Sequence, residues 1–339
     1  MDLMKLKDPK LVVQASPFLK QGLTTQNVML DVIYALIPVT LASLWFFGMS
    51  ALMVLLASIA GTLFTEWFFS SSPNRAESLK DGSAFLTGLL LGLTLPPSLP
   101  LWMAFLGGVV AIGLGKIVWG GLGNNLFNPA LVGRAFLLAN FPNAMTTWTA
   151  QSTSLFELHP HNLSLPLFQT GVDAVTSATP LGLMKFQQQD TPLLDLIIGT
   201  TSGSFGETGG LLILLGGIYL ILRRSIDWRI PAAILGSVII FSGILFMFDA
   251  TRYPDPFFAV FSGGLLLGTF FMASDPVTSP LTPKGAWIFG IGIGVIVVLI
   301  RNFGGFPEGV MYAILLMNAT VPLIERYTQP RVFGHGGAK

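Results

Sequence analysis

Residues 87–97 read TGLLLGLTLPP, an apolar helix that ends in a proline-rich break. Residues 263–268 read GGLLLG, and a second break with two prolines, SDPVTSP, follows at 274–280. After each break comes another apolar stretch and then a proline motif, FNPA at 127–130 and GFPE at 305–308. The offset between the copies stays near 177 residues, about half of the 339-residue chain. This order predicts an internal repeat with a cavity between its halves, where interrupted helices expose free backbone groups.

The composition is that of a membrane protein. Hydrophobic residues make up 52% of the chain and charged residues only 10%, whereas soluble domains carry about 25% charged residues. The formal net charge is +1, so no basic field is available for nucleic acid. The chain has no cysteine, which excludes disulfides, thiolate zinc sites and cysteine-ligated iron–sulfur clusters. We therefore expect an all-α polytopic protein in the lipid bilayer, with helices broken by its 38 glycines and 22 prolines.

Ten apolar stretches are candidates for membrane-spanning helices. They are 28–47, 52–69, 85–95, 101–118, 129–139, 193–222 (interrupted at 199–210), 230–248, 257–273, 286–300 and 308–323. If the N-terminus is cytoplasmic, this count places 14 of the 18 lysines and arginines on the cytoplasmic side, as the positive-inside rule requires. Five spans per half is an odd number, so the second half is predicted to be inverted relative to the first.

The spans divide the chain into five predicted regions. These are a cytoplasmic N-terminal segment 1–24, a first five-helix repeat 25–139, an external loop 140–192, a second five-helix repeat 193–325 and a cytoplasmic tail 326–339. Both termini are thus expected in the cytoplasm, and the polar segment 140–192 on the outside.

Four acidic residues lie within or beside the predicted spans: Asp31, Glu66, Asp195 and Glu207. Ionisable groups inside a membrane are costly and are candidates for an ion path. Because all four lie near predicted helix ends, solvation at the interface is the favoured explanation. Glu207 is the most notable of the four, since it lies in a polar, glycine-rich insertion at 200–208 within the sixth stretch, which could line an ion or electron route.

Several motifs carry a family resemblance. They include DGSA at 81–84, KIVWGGLGNNLFNPA at 116–130 and DPVTSP at 275–280. Over nearly its whole length the chain resembles the D subunits of Rnf electron-transport complexes, and it is similar to the B subunits of the sodium-translocating NADH:quinone reductases. The resemblance implies a bacterial inner-membrane subunit of an oxidoreductase that couples electron flow between ferredoxin and NAD to movement of sodium or protons. Its implied partners are the other membrane and peripheral subunits, including iron–sulfur and flavin subunits.

The resemblance also implies a covalent flavin. In this family a threonine in the pattern D-x-x-[ST]-x-A-T carries FMN through a phosphoester bond, and residues 173–179 here read DAVTSAT. Thr179 is then the implied attachment site, for which a separate flavin-attaching enzyme is a partner. Asp173 would assist or be recognised by that enzyme, and the small Ser177 would leave room for it. The alternative is a serine- and threonine-rich loop that stays unmodified.

Relatives hold a second, non-covalent flavin, riboflavin, in the membrane part. The candidates to bind it here are polar residues at the broken helices: Asn124, Asn125 and Asn128 in the first half, and Asp275, Thr278 and Ser279 in the second. Amide and hydroxyl groups of this kind could hydrogen-bond the flavin ring or its ribityl chain. The alternative is helix capping, which suits Asn128 in particular because a proline follows it.

No catalytic residue or metal site is predicted. The sequence has no nucleophile–histidine–acid arrangement and no phosphate-binding GxGxxG after a strand. Nicotinamide binding is therefore not expected on this chain. Two functions without a flavin remain open: a solute channel of the urea or ammonia type, which shares an inverted five-plus-five plan, and a structural scaffold for partner subunits.

Overall fold

The computed structural model describes residues 24–69, 78–149, 151, 156, 158–165, 177–207, 209–250 and 252–330, and regular secondary structure within these ranges is entirely helical. In chain order the helices are α1 (Thr25–Phe69), α2 (Ser83–Leu93), α3 (Leu101–Ile112), α4 (Pro129–Asn140), α5 (Pro142–Thr146), α6 (Pro180–Gly182), α7 (Leu193–Ile198), α8 (Gly210–Leu222), α9 (Arg229–Phe248), α10 (Pro256–Phe261), α11 (Leu265–Leu267), α12 (Pro283–Phe303) and α13 (Val310–Thr328). A 3₁₀ turn covers Pro160–Leu163, and π-helical turns extend α3 (Gly113–Ile117), α6 (Leu183–Gln187) and α11 (Gly268–Met272).

Three of the described helices, α1, α9 and α12, are long and apolar enough to cross a membrane, and α2, α3 with its π turn, and α8 are shorter apolar helices. Large apolar side chains stay exposed along the long helices, among them Trp45, Ile240 and Met247. In water such a surface would be unstable, whereas lipid tails cover it at no cost. The helices and their apolar exterior are those of a membrane protein.

Helix α1 is broken at Gly48. The backbone of this residue has φ 63° and ψ −148°, a conformation that glycine adopts without steric cost. Helical residues continue on both sides of the break, so α1 covers the two stretches predicted at 28–47 and 52–69. The predicted interruption of the sixth stretch also lies where expected, between α7 and α8.

The eighth predicted stretch, 257–273, is not one continuous helix. Helix α10 ends at Phe261, Ser262 is extended, and Gly263 has a positive φ of 64° before α11 begins. The last helix, α13, continues to Thr328 and so passes both the predicted end at 323 and the predicted tail boundary at 326. The pairs Gly263–Gly264 and Ser274–Asp275 therefore bracket a short helical segment that is broken at both ends.

The helices pack in two groups. Helix α1 lies against α2 and α3, while α9 packs on α12 and α12 on α13. Helix α4 contacts α13, and α1 contacts α8, so helices from before and after segment 140–192 share one core.

Glycines let α1 and α3 approach closely. A Cβ atom added to Gly108 would lie 2.5 Å from the carbonyl oxygen of Ser58 and 2.9 Å from the backbone nitrogen of Thr62. These neighbours are helix backbone and cannot move aside. Small residues are the usual basis of close helix packing in membranes.

We expect Gly108→Ala to lower the free energy of unfolding of the detergent-solubilised chain by about 1–3 kcal/mol, because the added methyl group overpacks the α1–α3 contact. Gly236→Ala in α9 is the matched control, since a Cβ there meets nothing within 4 Å. The control should be neutral or slightly stabilising, as alanine favours a helix. Equal effects of the two substitutions on thermal unfolding would contradict the packing explanation.

Candidate functional site

Thr179 begins a helix instead of lying in an open loop. Its backbone is extended, and its hydroxyl accepts a hydrogen bond from the backbone N–H of Gly182 at 3.2 Å, which makes it the N-cap of α6. Only 6% of Thr179 is exposed. Ser177 is held nearby, because its backbone N–H donates to the carbonyl oxygen of Trp148 at 2.8 Å. Asp173 lies outside the described residues.

A cavity of about 550 Å³, the large cavity, opens beside the helix that Thr179 caps. Leu181, Met184 and Lys185 of this helix line it, together with Phe258 of α10 and Val298 of α12. Its volume falls within the roughly 300–1,000 Å³ of ordinary ligand pockets. Apolar walls with a few basic groups, here Lys185, Arg252 and Arg301, suit a flat aromatic ligand that bears an anionic group.

Two of these basic side chains are fixed by backbone carbonyl groups. Arg301 donates to the carbonyl oxygens of Ala259 at 2.5 Å and Ser262 at 2.9 Å, and so stabilises the broken end of α10. Lys185 donates to the carbonyl oxygens of Gly304 at 2.7 Å and Phe306 at 2.9 Å, just after α12 ends. Partial burial lowers the pKa of Lys185, because it removes water from the ammonium group. The wall of the large cavity therefore contains two basic side chains that backbone carbonyl groups hold in place.

A second, smaller cavity of about 60 Å³ lies among the broken helices, and we name it the amide cavity. Asn125, Asn128, Asp275 and Lys116 line it, so the structure brings together three of the six predicted riboflavin ligands from both halves of the chain. Asn128 also caps α4, accepting from the N–H groups of Ala130 and Leu131, and the capping alternative is confirmed for this residue. The amide of Asn128 further donates to the carbonyl oxygen of Met272 at 3.2 Å.

The other three predicted ligands do not line the amide cavity. Asn124 is exposed. Thr278 is buried and donates to Asp275 at 3.1 Å, so it orients that carboxylate, and Ser279 is buried in the turn that follows. These three residues lie in turns next to the helix breaks, and their side chains do not line the cavity. The spacing of residues along the sequence does not predict the orientation of side chains in such turns.

The prediction that interfacial water solvates the acidic residues is wrong for Asp31 and Glu66. Both are buried, at 4% and 5% exposed. Asp31 accepts from Ser225 at 2.8 Å and from Arg223 at 3.2 Å. Glu66 accepts from Lys116 at 2.8 Å. Each carboxylate is buried because a distant part of the chain supplies a cation or hydroxyl donor.

A charge cluster lies between the two halves of the chain. Arg134 of α4 forms an ion pair with Glu308, just before α13, at 2.7 Å. Charge interactions connect Glu207 with both members of this pair, and connect Arg301 with both glutamates. A cavity of about 40 Å³, the charged cavity, is lined by Arg134, Glu308 and Ser204. The arrangement places two carboxylates and two guanidinium groups together, with Arg301 buried and the other three residues half-buried.

A sequence model of the family described as NQR2, RnfD, RnfE matches residues 12–334. The chain belongs to this family. It is 42% identical to the D subunit of the proton-translocating ferredoxin:NAD(+) oxidoreductase complex of Clostridium ljungdahlii, over 97% of this chain and 98% of the relative. It is 38% identical to the D subunit of the ion-translocating oxidoreductase complex of Actinobacillus succinogenes, over 95% and 97%. The corresponding protein of Aeromonas hydrophila is also 38% identical, over 95% and 98%.

Family membership confirms the resemblance drawn from DGSA, the 116–130 run and DPVTSP. The connection of Arg134 and Glu308 to Glu207 was not predicted from the sequence. One signal could have revealed it, because Arg134 lies in the middle of the short predicted span 129–139, and an arginine inside a span needs an acidic partner. The buried Lys116–Glu66 pair was also missed, since 50 residues separate its members.

Proposed function

We propose that this chain is the D subunit of an ion-translocating ferredoxin:NAD(+) oxidoreductase complex, that it carries FMN on Thr179, and that the flavin ring occupies the large cavity. Family membership and the names of the relatives support the first part. One observation carries the second: Thr179 lies two residues before Leu181, which lines a cavity of about 550 Å³. The residues that directly follow Thr179 therefore form part of the wall of this cavity.

The residues around the large cavity fit an FMN group. Leu181, Met184 and Phe258 offer apolar faces to an aromatic ring, and the basic side chains Lys185, Arg252 and Arg301 offer charge to anionic groups. The cap geometry also tolerates attachment, since an ester oxygen on Thr179 can still accept from the N–H of Gly182. When bound, a flavin carries electrons that protein side chains cannot. The protein would hold the ring in place and keep basic side chains beside it.

The burial of Thr179 restricts when the flavin-attaching enzyme can reach its hydroxyl group. Because 6% of the residue is exposed, the enzyme must act before α6 packs or on a locally opened segment. The small Ser177 and Ala178 lower the steric barrier to such an opening. We therefore place attachment before or during assembly with the partner subunits.

The amide cavity fits riboflavin in chemistry but not in size. Its amides and carboxylate are suitable hydrogen-bonding groups, yet about 60 Å³ is far less than the roughly 300 Å³ of a small ligand pocket. We derive no step through a second flavin in this cavity. Riboflavin remains an expectation from the family resemblance.

The mass of the peptide that contains Thr179, isolated from the native host, tests the proposal. An added FMN on this peptide supports it, and an unmodified peptide contradicts it. Fluorescence of the denatured band separates the proposal from a flavin-free channel or scaffold, for both of which the band is dark. The family match favours the oxidoreductase complex over the channel.

We further propose ten spans in two inverted repeats in the bacterial inner membrane, with both termini cytoplasmic and segment 140–192 outside. The contact between α4 and α13, which both follow the proline motifs of the repeat, supports this arrangement. The basic residues concentrated on one side support the orientation.

The absence of cysteine makes the orientation directly testable. We expect a single cysteine at exposed Asp190 to react with a membrane-impermeant maleimide in intact spheroplasts, because segment 140–192 is predicted outside. A single cysteine at exposed Lys284 should react only after permeabilisation. The unsubstituted chain is the matched control and should not react. Labelling in the reverse order would contradict the proposed orientation.

A further inference from the structure

Within the charge cluster, Glu207 is the carboxylate that has no direct cation. Arg134 is paired with Glu308 at 2.7 Å, and Arg301 uses two N–H groups on the carbonyl oxygens of Ala259 and Ser262. Oε1 of Glu207 is buried and accepts no hydrogen bond from the described residues. A buried carboxylate oxygen without a donor is costly, and a proton on that oxygen removes the cost.

Ser204 lies beside Glu207 and provides a second sign of a ligand. It is 1% exposed, it lines the charged cavity, and its hydroxyl makes no well-formed hydrogen bond with the described part of the chain. Buried hydroxyl groups are normally satisfied by protein or by ordered water. The charged cavity has a volume of about 40 Å³, which is room for roughly one water molecule. A hydroxyl and a water beside a carboxyl group are the usual components of a proton-binding site.

The position of Gly264 locates the site. A Cβ added to Gly264 would lie 3.6 Å from Oε1 of Glu207 and 4.0 Å from a terminal nitrogen of Arg134. One added to Gly263 would lie 3.2 Å from a terminal nitrogen of Arg301. The broken segment after α10 thus leaves space in which the four charges meet, and Arg301 connects the cluster to the wall of the large cavity.

We propose that Glu207 binds and releases a proton at Oε1, in a site that it shares with Ser204 and the Arg134–Glu308 ion pair. The carboxylate becomes a neutral carboxylic acid when the proton adds, and the proton returns to water when it leaves, so no electron is transferred at this group. The titratable and charged groups that face Glu207 from the surrounding elements are Arg134 of α4, Arg301 of α12, Glu308 before α13 and Tyr312 of α13.

The proton is favoured over a metal cation as the ligand of this site. With both glutamates charged, two guanidinium groups balance two carboxylates, and no negative charge is left to attract a metal ion. The cavity is also too small for a cation with several ligating waters. The inference depends on the proposed function only for its link to ion translocation, in which the site would be one step of a proton path.

Infrared difference spectroscopy of the intact complex during pH steps, without an electron donor, tests the proposal. We expect the wild type to show a band of a protonated carboxyl group that shifts in D₂O and disappears as the pH rises. Glu207→Gln should lose this band, and Asp190→Asn, which removes an exposed carboxylate, should keep it. Glu308→Gln should weaken the band at each pH, because Arg134 is then free to pair with Glu207.

Two results would overturn the proposal. One is an identical set of carboxyl bands in the wild type and Glu207→Gln; the other is a Glu207 carboxylate that is charged at every pH and changes only when sodium is added. If Glu207→Gln does not assemble, Glu207→Asp should move the band without removing it, and an unmoved band contradicts the assignment. Because no flavin takes part in this measurement, repeating it on a flavin-free Thr179→Asn complex separates failure of the proton site from failure of flavin attachment.

Discussion

Thr179→Asn is expected to abolish the covalent flavin while leaving the helix it caps intact. Asparagine is as good an N-cap as threonine, so the bond to the N–H of Gly182 is kept. Asparagine has no hydroxyl to form a phosphoester, so the FMN cannot attach. In-gel fluorescence of the denatured chain, co-expressed with the attaching enzyme, should fall to background, while the amount of folded chain in the membrane stays unchanged.

Two further variants separate attachment from capping. Thr179→Ser keeps both the hydroxyl and the cap, and should retain a fluorescent band. Thr179→Ala loses both, so it should be dark and also less stable by about 1 kcal/mol. Fluorescence of wild-type intensity in Thr179→Asn would show that the flavin is attached to another residue. The large cavity could then no longer be assigned to the flavin on the basis of Thr179.

The largest expected effect on stability comes from Lys116. Its side chain is 3% exposed and donates to Glu66 at 2.8 Å and to Ser83 at 2.8 Å, with Asp81 at 3.8 Å. Lys116→Met leaves the carboxylate of Glu66 buried without its cation. Breaking one side of a buried ion pair costs about 3–5 kcal/mol, so we expect a loss of this size in the free energy of unfolding of the detergent-solubilised chain.

A double variant shows whether the loss comes from the uncompensated charge. Lys116→Met with Glu66→Leu replaces the pair by apolar side chains, and such replacements are often neutral or stabilising. We expect the double variant to recover most of the stability lost in the single one. If the two losses instead add, packing of the lysine stem and not the ion pair holds this region together.

Local patterns in the sequence predict the helices and their caps well. Asn128 before Pro129 predicts a helix start, and the structure confirms it through two capping hydrogen bonds. Apolar stretches and glycine or proline breaks likewise predict most helix bounds, because these features act within one or two turns. The break at Gly263 was missed because a paired glycine next to leucines is also compatible with a continuous membrane helix.

Pairings between distant residues could not be predicted from local patterns. Asp31 meets Ser225 across 194 positions, and Arg134 meets Glu308 across 174. Nothing near Asp31 in the sequence distinguishes a carboxylate paired inside the protein from one solvated at the interface. Likewise, the family resemblance of DAVTSAT implies a modified threonine but not its burial, which accompanies the packing of Leu181 against Phe258 of α10.

Two of the polar contacts that join the parts of the chain on either side of segment 140–192 come from α4 and its N-cap residue. The amide of Asn128 holds the carbonyl of Met272, and Arg134 holds Glu308. One contact lies at the N-cap of α4 and the other near its middle, so this helix is attached to the second half at two points. A rocking motion of one half against the other would break both at once. Any displacement of the two halves against each other therefore has to exchange this hydrogen bond and this ion pair for new partners.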